Sequence, residues 1–157
     1  MESLSLFLFS ISLLSSLLIV TLSLAGRLTG RFQFYPPPQK EGWQHPAFMW
    51  LFRGFFYPLV LLSFLEFRWV NNLLEGVRLG LGVLFLLSGF GLAFWITFQM
   101  GWRNAFGEKK GLVKTGWFSR SRNPIYVASW IGLVGWILVV NHLFVTILAI
   151  IWGILYF

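Results

Sequence analysis

Between Leu4 and Ala25 the chain carries 22 residues without a single charge. At about 1.5 Å of rise per residue such a run makes about 33 Å of helix, enough to cross a hydrocarbon core of about 30 Å. In that medium every backbone N–H and C=O must pair inside the protein, which a helix does within its own segment. The pattern then repeats. Further apolar runs occupy 47–67, 77–99, 125–140 and 143–157, divided by polar stretches at 26–46, 68–76 and 100–124 and by Asn141-His142. Charged residues are only 11% of the whole, against about 25% in an ordinary soluble domain. That excludes a soluble enzyme and a disordered chain. The lack of cysteine excludes a disulfide scaffold, thiolate nucleophiles and zinc knuckles. The expectation is an all-α polytopic membrane protein, one membrane domain over 1–157 with five helices.

The first run competes with a signal-peptide reading, because Ser23-Leu24-Ala25 resembles a cleavage site. Glu2 in place of a basic n-region, the length of the run, and Arg27 and Arg31 just beyond it favour a retained helix. Serines 5, 12, 16 and 23 follow one helical stripe, and Ser12 and Ser16 have the small-xxx-small spacing of close helix pairs. Pro36-Pro37-Pro38 forbids helix in the next stretch, and Pro46 suits the first turn of the second span. Gly76, Gly80, Gly82, Gly89 and Gly91 offer flat packing surfaces on the third. The last two runs, 16 and 15 residues long, reach about 24 and 22 Å and predict a short helical hairpin.

Charge placement supplies the orientation. Nine basic residues fall in 26–46 and 100–124, against Arg68 and Arg78 in the 68–78 link, which overlaps the start of the third run and faces the other way. The positive-inside rule therefore puts the first set in the cytosol and the N-terminus outside. The net charge of +7 is thus topological first, and no nucleic-acid partner is expected.

Chemistry-bearing residues gather in 100–126. Asn123-Pro124 is a helix-start signal, with Asn as the expected side-chain cap and Pro at the first helical position. The partial positive charge of that helix end, beside Lys114, Arg120 and Arg122, would accept a carboxylate or phosphate. The bland alternative is a capped membrane helix with basic anchors.

The run Leu112-Val113-Lys114-Thr115-Gly116-Trp117-Phe118, a short spacer, then Arg122-Asn123-Pro124-Ile125-Tyr126 resembles the signature of the isoprenylcysteine carboxyl methyltransferase and phospholipid methyltransferase superfamily. Met100-Gly101-Trp102-Arg103 before it is similar to bacterial members. The resemblance implies a membrane enzyme binding S-adenosylmethionine at the cytosolic face of the bacterial inner membrane. It places cofactor contacts on Lys110, Gly111, Leu112, Val113, Phe118, Asn123, Pro124, Ile125 and Tyr126. Arg122 becomes the candidate catalytic residue, holding negative charge on acceptor or cofactor. The implied acceptor is lipophilic, a prenylated cysteine carboxylate or a membrane lipid, and no metal is implied. Asn123 stands where eukaryotic carboxyl methyltransferases have His, and Phe118 where Tyr is commoner. The family continues past the hairpin with a Glu-Glu helix that this sequence does not contain, so the 157-residue chain is expected to be a short or truncated form of low activity.

Two other readings compete. A steroid-reductase-like NADPH enzyme shares a Pro-x-Tyr hairpin but places an acid soon after the Tyr, where Val127-Ala128-Ser129-Trp130 stands here. A non-catalytic scaffold of the same fold is the other. Arg53 is expected to snorkel to the headgroups, with contact to an anionic substrate as its alternative. Glu66 reads as interfacial, His45 as helix-start sequence and His142 as a hairpin-tip residue. Trp43, Trp69, Trp102 and Trp117 read as interfacial anchors. No metal-ligand spacing, P-loop or nucleophile elbow is present.

Overall fold

The structure, a computed structural model, describes residues 2–35, 42–100 and 123–155. It is all-helical over these residues: α1 Glu2–Thr29, α2 Gln44–Leu65, α3 Leu73–Met100, α4 Pro124–Val140 and α5 Leu143–Leu155. The first three are long and apolar enough to cross a membrane, and α4 and α5 are shorter apolar helices of 17 and 13 residues. Large apolar side chains such as Phe64, Trp50 and Phe98 lie exposed while Ser5, Ser12 and Ser16 are buried. That inversion suits a lipid surround, where contact between small residues and not apolar burial brings helices together.

The helices form two compact units, α1, α2 and α5 in one, α3 and α4 in the other. In the first, the serine stripe of α1 lies along α2. Ser12 Oγ donates to Phe55 O at 2.9 Å, and a Cβ on Gly54 would stand 2.8 Å from Ser15 Oγ. Ser16 donates back to Leu13 O within its own helix. On α5, Phe144 stacks on Phe9 of α1 at 4.4 Å, and Trp152 meets Phe52, Phe55 and Phe56 of α2 edge-on.

The second unit rests on glycine. A Cβ on Gly89 would stand 2.1 Å from Gly132 N, one on Gly135 2.2 Å from Leu86 N, and one on Gly82 2.9 Å from Val139 N. Backbones so close admit no side chain between them. The small-residue face of α4 (Ala128, Gly132, Gly135) is therefore filled by α3.

Helix ends follow local chemistry. Pro46 falls in the first turn of α2, as expected. Helix α3 begins at Leu73, four residues before the apolar run, because Asn72 Oδ1 accepts from Glu75 N–H at 2.9 Å and Glu75 Oε2 accepts from Asn71 N–H at 2.8 Å. This is a relative of the capping box, and it draws Glu75, Gly76 and Arg78 into the helix. Asn141 ends α4 in the left-handed conformation (φ 50°), its N–H bonded to Ile137 O at 2.8 Å. The two-residue link to α5 is as expected, and the two helices find their partners in different units.

Candidate functional site

Helix α4 opens at the expected residue. Asn123 has a non-helical backbone (φ −134°, ψ 62°) and Pro124 takes the first helical position, where its fixed φ fits and its missing N–H costs nothing. One expectation is corrected here: the Asn123 side chain makes no capping hydrogen bond. Its backbone serves instead, Asn123 O accepting from Tyr126 N–H at 3.1 Å and Val127 N–H at 3.3 Å. Those bonds already close the first turn, so the helix starts without a side-chain cap. Ile125 N–H, at the second helical position, has no carbonyl partner inside the helix by geometry. Pro124 is buried, Ile125 and Tyr126 half-buried and Asn123 exposed.

The structure thus brings Asn123, Pro124, Ile125 and Tyr126 together at one helix end. Lys110, Gly111, Leu112, Val113, Phe118 and Arg122 lie outside the described residues, as do Trp102 and Trp117.

What holds the helix in place was not anticipated. Arg78, counted in the sequence as a link residue, donates from Nη1 to Leu138 O and, at 3.4 Å, to Val139 O. These are among the last carbonyls of α4, which lack partners within their helix. An arginine inside an apolar region that meets backbone carbonyls is a known solution to its own burial, but no local signal names the carbonyls it finds.

A second polar cluster sits in the unit of α1, α2 and α5. Glu66 accepts from Ser5 Oγ, and His142 Nε2 stands 3.4 Å from Glu66 Oε2, ion-pair distance when the imidazole is protonated. The His142 ring also meets Phe144 edge-on. Both side chains are largely buried, so Glu66 joins helix ends and is more than an interfacial acid. The order of contacts is wrong for a nucleophilic triad, since the hydroxyl donates to the carboxylate and not to the imidazole. Arg53 is exposed and lies over the Trp50 ring at 5.8 Å, which favours the headgroup reading over contact with a buried substrate.

No curated protein and no solved structure gives a significant match to the chain. The family model described as phospholipid methyltransferase matches residues 77–157, just over half of the sequence. The matched segment takes in most of α3, the whole of α4 and α5, and the signature at 112–126. It lies in the superfamily to which that signature pointed, and the chain belongs to the phospholipid methyltransferase family.

Proposed function

We propose that the protein is an integral-membrane methyltransferase that uses S-adenosylmethionine and acts on a lipophilic acceptor, a prenylcysteine carboxylate or a lipid. The observation that carries this reading is the family match over 77–157, a segment containing both the signature and the start of α4. The membrane-length helices support a site reached by a lipid-soluble acceptor. The nine-to-two basic asymmetry supports a site facing the cytosol, here of a bacterial inner membrane.

The start of α4 suits the cofactor's carboxylate. Ile125 presents an N–H that the helix leaves unpaired, Pro124 has none to present, and the aligned peptide dipoles make this end partially positive. The Asn123 side chain is not engaged as a cap and stands beside the same end. Lys110, Gly111, Leu112, Val113 and Phe118 are assigned to the rest of the cofactor, with Pro124 and Tyr126 as walls. When bound, the cofactor supplies an electrophilic methyl group. The residues of the chain have to orient the acceptor in line and keep water out, effects worth up to about 7–11 kcal/mol in well-oriented reactions. Arg122 is assigned to the negative charge of acceptor or cofactor. An acceptor already anionic needs no general base.

Calorimetry of the purified full chain with S-adenosylmethionine tests the first half of the reading, and absence of binding would sink it. Transfer of a radiolabelled methyl group to a prenylcysteine analogue or to a phospholipid then identifies the acceptor class.

A further inference from the structure

Where α1 ends, the chain folds back over its own last turns. Ser23, Gly26 and Arg27 are spaced three and four apart and share one helix face, which Gly30 continues. Gly30 takes the left-handed conformation (φ 63°) that terminates the helix, and its N–H reaches Gly26 O at 3.0 Å. The returning residues Phe32, Gln33, Phe34 and Tyr35 then face that surface across a half-open groove of about 340 Å³. This close return depends on Gly26, because a Cβ there would stand 2.6 Å from Phe32 O. The far wall is held from behind: Phe34 is buried, and Trp43 meets the Phe32 and Phe34 rings at 5.8 and 6.1 Å.

Two polar groups beside this groove have no partner among the described residues. The Ser23 hydroxyl is buried and makes no hydrogen bond. Arg27 is exposed at the groove's open side and makes no ion pair or hydrogen bond to any other described residue. A basic residue in the last helical turn suits the helix dipole, but that accounts neither for the groove beside it nor for the orphaned hydroxyl. The uncharged run of α1 stops two residues before Arg27, so the groove lies where an apolar span gives way to the headgroup layer. The anions abundant at that level are lipid phosphates, which the planar donor fork of arginine matches.

We propose that this groove binds the phosphate of an anionic phospholipid headgroup, with Arg27 as its charge partner and the Ser23 hydroxyl as a hydrogen-bond donor. The rings of Phe32 and Tyr35 cover the adjoining glycerol. The site lies outside the segment matched to the methyltransferase family, so it stands or falls independently of the catalytic reading.

Native mass spectrometry of the full detergent-solubilised chain tests it, titrating with short-chain phosphatidylglycerol, short-chain phosphatidylcholine and inorganic phosphate in turn. The wild type should retain one phosphatidylglycerol, and retain phosphatidylcholine less. Arg27→Ala should bind phosphatidylglycerol about tenfold more weakly or worse, the loss expected of one charge-assisted contact. Ser23→Leu, which fills the groove and leaves the charge, should weaken binding comparably. Arg53→Ala, at an exposed arginine elsewhere in the same unit, should leave it unchanged. Circular dichroism identifies any variant that has not folded, and either of the two groove variants suffices for the comparison. Equal retention by Arg27→Ala, or equal losses in Arg27→Ala and Arg53→Ala, would overturn the proposal. So would displacement of the lipid by inorganic phosphate at matching concentration, which would mark a site for free anions.

Discussion

Arg78 and Asn123 exchange the roles that their positions in the chain suggest. The arginine, one turn inside α3, ends α4 by donating to Leu138 O and Val139 O, while the asparagine in a capping position caps nothing with its side chain. Replacing Arg78 with Ala should cost about 1.5–3 kcal/mol, the range for hydrogen bonds to a charged group. Chemical denaturation in detergent, followed by circular dichroism, measures that loss; a change under about 0.5 kcal/mol, typical of an uninvolved surface site, would refute the capping role. Arg78→Lys should recover only part of it, since a point charge cannot span two carbonyls as a guanidinium does. For Asn123→Ala no side-chain cap is lost, so the usual cost of about 1 kcal/mol for such a cap does not apply. A weakened titration with S-adenosylmethionine in that variant would report contact with the ligand, and unchanged affinity would remove Asn123 from the proposed site.

At the scale of elements, the α3–α4 pair is held by backbone proximity and not by interlocking side chains. Gly89→Ala should force the helices apart and lower stability by about 1–3 kcal/mol, the usual cost of overpacking a closed interface. Gly91→Ala is its control on the same helix, since nothing lies within 4 Å of its added Cβ. That substitution should be neutral or slightly stabilising, because alanine is the better helix former. Thermal unfolding of the two variants side by side checks the contrast. Equal melting temperatures would mean that α3 and α4 do not meet as closely as described. Both glycines are equivalent as sequence, and only one faces a partner.

For the whole molecule, the asymmetry of nine basic residues to two predicts that 100–124 faces the cytosol and the N-terminus the opposite side. With no native cysteine to remove, Lys109→Cys and Ser3→Cys provide single labels. A membrane-impermeant thiol reagent added to intact cells should modify the second and spare the first. Labelling of Lys109→Cys from outside would reverse the orientation, and with it the side from which cofactor reaches the proposed site.

The bilayer makes much of this protein legible in its sequence, because its demands are local. An uncharged run long enough to span, a proline at a first turn and a run of arginines after a span each carry their meaning without reference to distant residues. The spans, the start of α4 at Pro124 and the signature at 112–126 are of this kind. The Asn72–Glu75 pair that starts α3 was equally local, and the spacing of a carboxamide three residues before a carboxylate was the signal for it. What tertiary structure decided is which group each polar or small residue meets. Ser12 finds Phe55 O, Glu66 gathers Ser5 and His142, Arg78 finds the end of α4, and the small face of α4 closes on α3. Each of these joins residues about forty or more positions apart. The serine stripe marks a packing face on α1, but no spacing in a nearly uniformly apolar helix names the partner, so that choice falls to the close approach of backbones and the few hydrogen bonds that three-dimensional packing allows.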